Sequence, residues 1–100
     1  MKRYRLARPA KADLDLIWQR IAGESGIENA SRLIDTITDR FPLLAEMPEL
    51  GTTRDLIEGG VRAFPVGNYL IYYRRAQRGG ILISRVIHGM RDQHQAWETR

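Results

Sequence analysis

The sequence contains no cysteine, which excludes a disulfide framework and a zinc–thiolate site. Its two histidines, His88 and His94, have no acid at ligand spacing, so no metal set is expected, nor is any cofactor. No apolar run reaches the length of a membrane span. None follows the opening Met1-Lys2-Arg3-Tyr4-Arg5 either, so the start does not read as a signal peptide. The cytoplasm is the expected compartment, with no membrane partner. Lysine is scarce: Lys2 and Lys11 stand against fourteen arginines. There is no internal repeat, low-complexity tract or linker.

What is present is a chain of 100 residues, the length of one domain spanning residues 1–100. Such a chain buries roughly two-thirds of the surface its unfolded form exposes. With 43% apolar and 28% charged residues, the composition is that of a globular domain. The net charge of +4 is unevenly spread. Residues 1–8 carry Lys2, Arg3, Arg5 and Arg8 and no acid, residues 9–50 hold twice as many acids as bases, and residues 51–100 reverse that ratio. Folding should therefore leave one side positive. The arginine fork suits carboxylates and phosphates, so an acidic partner is favoured.

Arg3-Tyr4-Arg5-Leu6 alternates as a short half-buried strand does. Pro9 then fits a first helical turn, and Ala10, Leu14, Ile17, Trp18 and Ile21 share one face. The spacing predicts a helix to about Ala22, stopped by Gly23, with Trp18 in the core. Asp13, Asp15 and Lys11 are expected to act on the helix dipole rather than in catalysis. A second helix should open at a capping box, Ser25-Gly26-Ile27-Glu28. Its stripe of Ala30, Ile34, Ile37, Phe41 and Leu44 continues to Pro48 and Gly51, with a kink near Pro42. Val61–Phe64, Tyr69–Tyr73 and Ile81–Ile87 carry the aromatic and β-branched residues of strands. Pro65-Val66-Gly67-Asn68 and Gln77-Arg78-Gly79-Gly80 supply the turns. Tyr69–Tyr73 is apolar on both faces and should lie centrally, covered by the helices on one side and by the C-terminal tail or a partner on the other. The expectation is an α+β domain, β-α-α-β-β-β, with a helical hairpin on a small, mainly antiparallel sheet.

Several patterns occur in an order that resembles the ParE/RelE toxin superfamily of type II toxin–antitoxin systems. They are Ala10-x-x-Asp13-Leu14-x-x-Ile17-Trp18, Leu44-x-x-x-Pro48-x-x-Gly51, Val61-Arg62-x-Phe64 with Tyr69-x-Ile71-x-Tyr73-Arg74, and Arg85-Val86-Ile87-His88-Gly89-x-Arg91-Asp92. The resemblance implies one of two activities, between which the fold does not choose. The RelE branch cleaves mRNA on the ribosome with lysines, arginines and a C-terminal tyrosine. The ParE branch inhibits DNA gyrase. Here the first hairpin strand lacks the nuclease lysines, Leu70 stands at an arginine position, and Trp97 falls near the tyrosine. Arg91 matches the remaining arginine. Tryptophan can stack on a base but cannot transfer a proton.

The ParE side is therefore expected: a toxin blocking gyrase by protein–protein contact and neutralised by a cognate antitoxin. The resemblance further implies a small, DNA-binding antitoxin whose C-terminal segment wraps the toxin and folds on binding, and it allows a toxin dimer or a heterotetramer. The alternative is a ribosome-dependent mRNA endonuclease with Arg91 and His88 as its catalytic groups. His88 could equally brace the last strand. Arg62, Arg74, Arg75, Arg85, Arg91 and Trp97 are the candidate antitoxin- or target-contact residues, with Arg78 beside them on the positive surface. A basic nucleic-acid-binding module is disfavoured, because neither helix has a concentrated basic face.

Overall fold

The computed structural model describes residues 3–54 and 59–89. Strand β1 (Tyr4–Leu6) leads into helix α1 (Arg8–Ser25), α2 (Ile27–Thr38) and α3 (Arg40–Glu46). A 3-10 turn at Pro48–Leu50 then delivers the chain to β2 (Thr52–Thr53), β3 (Arg62–Val66), β4 (Tyr69–Arg75) and β5 (Ile81–His88). The sheet order is β1-β5-β4-β3-β2, so β4 is central as its two-faced apolar sequence requires. β1 runs parallel to β5, and every other pairing is antiparallel. The α+β architecture with a helical hairpin on a mainly antiparallel sheet is thus present, extended by the short edge strand β2.

The helical stripes face the sheet. Ala10, Ile17, Ile37, Phe41 and Leu44 pack with Tyr69, Ile71, Tyr73, Ile81, Ile83 and Val86 in one core. Tyr4 meets Phe41 edge-on at 5.6 Å, which ties β1 to α3. On the other sheet face, Val61, Ala63, Tyr72 and Ile87 form a second buried cluster. Strand alternation explains the division of β4, with Tyr69, Ile71 and Tyr73 on one face and Leu70 and Tyr72 on the other.

Several local expectations are corrected. Helix α1 runs through Gly23 and ends at Ser25, because an interior glycine weakens a helix by only about 1 kcal/mol. The break comes at Gly26, whose φ of 96° and ψ of 162° lie in a region essentially reserved for glycine. That one residue joins α1 to α2, so no capping box forms, and Gly26 itself is the N-cap. Ser25 instead offers its carbonyl to Asn29 Nδ2 at 3.0 Å. The Pro42 break falls earlier than expected. The amide that Pro42 lacks would have bonded residue 38, where α2 ends, and the proline occupies the first turn of α3. Pro65 and Val66 belong to β3, leaving Gly67-Asn68 as a two-residue turn. The edge position tolerates Pro65, since β2 pairs no farther along β3 than Ala63. Trp18 is half-buried rather than core, its indole reaching Ser31 Oγ at 3.2 Å between α1 and α2.

Ile37 is fully buried at the centre of the α2 stripe. Ile37→Asp should abolish folding, because an unpaired buried carboxylate costs several kcal/mol against a total stability of about 5–15 kcal/mol. Circular dichroism with a thermal melt checks it: a cooperative transition at the parent temperature would show that this face is not inward.

Candidate functional site

The expected positive surface is built from three separate neighbourhoods. At the C-terminal end of β4, Arg62, Arg74 and Arg75 line a cavity of about 330 Å³ with Pro48, Thr53, Gly59, Gly60 and Tyr73. Arg62 is half-buried and donates through Nη1 to Gly51 O at 2.8 Å, fixing the chain where it crosses from helix to sheet. Tyr73 Oη donates to Pro48 O at 2.8 Å and accepts from Gly51 N–H at 2.7 Å. A Cβ on Gly51 would stand 2.6 Å from that hydroxyl, so glycine is required there for space. The spacing Pro48-x-x-Gly51 is the sequence trace of this knot. Arg74 and Arg75 are exposed, and Arg75 pairs with Glu49 at the surface, where such a pair is worth about 0–1 kcal/mol.

Arg85 belongs to a second neighbourhood. Its Nε and Nη2 reach Asp13 Oδ2 and Oδ1 at 2.8 and 2.9 Å, and Asp13 Oδ2 also accepts Val86 N–H at 2.9 Å. The register explains why a carboxylate is needed. β1 pairs with β5 only as far as Leu6↔Ile83, so beyond that point the outer edge of β5 has no strand beside it. Asp13, projecting from α1 and 8% exposed, takes the strand's place. It therefore does not act on the helix terminus as the sequence suggested; it ties α1 to the sheet. An acid within the buried spacing of Ala10, Leu14 and Ile17 was the signal that it needs an interior partner.

His88 lies in the third neighbourhood, at the opposite end of β5 from Ile81. It is half-buried, with its ring edge-on to Tyr69 at 5.4 Å. Tyr69 Oη in turn accepts from Arg20 Nη2 at 2.9 Å. This arrangement fits the bracing role. Arg91 and Trp97 lie outside the described residues, as does the tail expected to cover the second sheet face. Among the described residues no group of three His, Asp or Glu side chains converges as a metal site would. No helix among them is long and apolar enough to cross a membrane.

Two phenols were missed as chemistry-bearing groups. Burial pushes the Tyr72 hydroxyl up, partly countered by the nearby Arg54. Burial likewise raises Tyr73, opposed by the Gly51 amide and Arg62 and reinforced by Glu49. Both therefore stay protonated at neutral pH, and neither is poised as a base.

A helical hairpin on a five-stranded mixed sheet, with an acid–arginine clamp at the sheet edge, defines a small α+β domain. Comparison with known proteins narrows the class. The family model described as "ParE toxin of type II toxin-antitoxin system, parDE" matches residues 4–93. Toxin ParE1 of Caulobacter vibrioides is 35% identical over 88 residues, covering 88% of this chain and 90% of that protein. Toxin ParE1 of Mycobacterium tuberculosis is 29% identical over 90 residues, covering 90% and 92%. A solved structure described as "Chromosomal ParDE TA system from P. aeruginosa" superimposes with a TM-score of 0.76 at 24% identity, covering 88% of this chain and 96% of that one. The chain belongs to the ParE toxin family of type II toxin–antitoxin systems.

The buried polar groups make two outcomes measurable. Asp13→Ala should cost about 3 kcal/mol, since it removes two charge-assisted bonds from Arg85 and leaves the buried Val86 N–H without its acceptor, lowering Tm by more than about 10 °C. The double variant Asp13→Leu/Arg85→Met should recover much of that loss in a thermal melt. The second outcome concerns alkali. The folded-state Tyr72 and Tyr73 values lie above 10.0, so below that pH both states hold the phenolic protons and stability is unaffected by them. As pH rises above about 10 the unfolded chain releases protons that the folded chain keeps, and stability falls. Denaturant melts across alkaline buffers should show this fall, and Tyr72→Phe should make it shallower.

Proposed function

We propose that this toxin arrests growth by binding DNA gyrase, without cleavage chemistry of its own, and that a cognate antitoxin neutralises it in the cytoplasm. The observation that carries the reading is the separation of the groups a nuclease would need together. His88 sits at the Tyr69 end of β5, while Arg62, Arg74 and Arg75 gather around the other end of the β4–β5 pair. Along β4, Tyr69 lies four steps from Tyr73, which Arg62 faces, and six from Arg75, roughly 13 to 20 Å. Leu70, half-buried beside Tyr72, supplies no charge at the position where the nuclease branch has an arginine. Attack by a 2′-hydroxyl needs a base, an acid for the leaving oxygen and cations at the phosphate. Each positioned acid or base contributes roughly 10²–10⁴ in rate, so His88 and Arg91 by themselves would leave little activity.

For the antitoxin, the family's description and that of the matched ParDE structure both name a two-component system. We assign contact with antitoxin or target to Arg62, Arg74 and Arg75 at the cavity, and to Arg91 and Trp97 in the tail. Arg85 serves chiefly as the partner of Asp13. A small DNA-binding antitoxin whose C-terminal segment folds onto the toxin fits these surfaces. The complex would be a heterotetramer, or a toxin dimer in the antitoxin's absence.

The test is a gyrase supercoiling assay beside primer extension on ribosome-bound message. The purified chain should block supercoiling and leave message intact. Codon-specific cleavage lost in Arg91→Ala or His88→Ala, with gyrase unaffected, would replace this reading with the endonuclease.

A further inference from the structure

The β4–β5 turn end of the sheet holds a cationic cluster of which the gyrase reading uses only Arg74. Arg5, Leu82 and Arg74 lie in one row across β1, β5 and β4. Ile81 and Ile83 face the helices, so this row points to the other face. Two strand spacings put the Arg5 and Arg74 backbones roughly 10 Å apart. Arg3 is brought to the same end by the turn itself. Its carbonyl accepts Ile81 N–H at 3.1 Å. Gly79 and Gly80 both have positive φ, 95° and 75°, and a Cβ on Gly80 would stand 2.4 Å from that carbonyl. A Cβ on Gly79 would stand 3.1 Å from the Arg3 guanidinium, so the two glycines let Arg3 lie against the turn. Arg5 and Arg78 line a cavity of about 430 Å³ with Ala76, Gln77 and Gly79.

Arg3, Arg5 and Arg78 are all exposed, and among the described residues no carboxylate pairs with them. Gathering like charges in this way is unfavourable without a counter-charge. Glu49 lies at this end of the sheet but pairs with Arg75, and two acids of the helical hairpin are held away. From Asp13 beside Val86, α1 runs on to Arg20 beside Tyr69, toward the opposite end of the sheet, and Glu24 and Glu28 lie beyond that. The local excess of arginine over carboxylate turns this end toward a polyanion.

We propose that this end of the sheet, through Arg3, Arg5 and Arg78, grips the phosphate backbone of duplex DNA. The lining favours phosphate over an acidic peptide. It offers guanidinium forks and backbone but no apolar pocket for the anchor side chains that protein interfaces rely on. It also favours a duplex over a single strand: no aromatic ring lines the Arg5–Arg78 cavity, and Tyr4 in the adjoining cavity with Arg3 and Arg5 is engaged edge-on by Phe41. A contact made to phosphates is sequence-independent and salt-sensitive. This goes beyond the gyrase contact and does not depend on it.

The experiment is fluorescence anisotropy of the full chain with a labelled duplex of scrambled sequence, titrated at several salt concentrations. The triple variant Arg3→Gln/Arg5→Gln/Arg78→Gln should weaken binding at least about tenfold at low salt. It should also flatten the plot of log K against log salt by about 2.7, three contacts at roughly 0.9 each. Should the triple variant not fold, Arg78→Gln alone, on the exposed turn, should flatten the plot by about 0.9. An unchanged slope overturns the proposal, as does absence of binding by the parent chain. Tighter binding of the matching single strand, or of polyglutamate in place of duplex, overturns it too. Duplex binding in a chain that leaves gyrase active would sink the gyrase reading and leave this one standing.

Discussion

Asp13 solves a problem that the strand lengths create. β1 offers three residues to an eight-residue β5, so half of a core strand would otherwise present unsatisfied amides along an open edge. The carboxylate takes the Val86 N–H and both Arg85 donors at once, replacing a missing strand with a side chain from α1. Helix placement, sheet edge and charge neutralisation thereby become one event. Burying that carboxylate is tolerable because its contacts are to donors. The bulge in the β4–β5 register at Tyr72/Tyr73 is part of the same design, since it sets Arg85 and Val86 in step with the clamp.

A second knot holds the other side of the sheet. Tyr73 reaches back from the central strand to Pro48 and Gly51, and Arg62 adds a bond to the Gly51 carbonyl. The helix-to-sheet crossing is therefore held from both β3 and β4. The close approach leaves no room for a side chain at Gly51. These bonds place Arg62 against the backbone while Arg74 and Arg75 lie exposed beside it, so a single cavity combines a structural arginine with two at the surface.

The fold also sorts charge. Glu24 and Glu28 lie past one end of the sheet, and exposed arginines collect at the other.

Much of this was legible in the amino-acid order. The 3.6-residue stripes of α1 and α2, the two-sided apolar run of β4 and the glycine-bearing turns follow from local periodicity, which depends on few neighbours. The segregated charge was legible too, and so was the toxin family through the Asp13, Pro48-x-x-Gly51 and Arg85–Asp92 patterns. The helix boundary at Gly26 in place of Gly23 was not, because several near-equal stops compete and packing selects among them. Nor was the fate of the arginines. Periodicity places Arg62 and Arg85 on strands and Arg74 and Arg75 just past one, but only register and edge length decide that Arg85 turns to Asp13, 72 residues away, while Arg3 and Arg5 join Arg78. Local pattern sets which residues form an element; which charges meet depends on contacts between segments far apart in the chain, and those exist only once the sheet has closed.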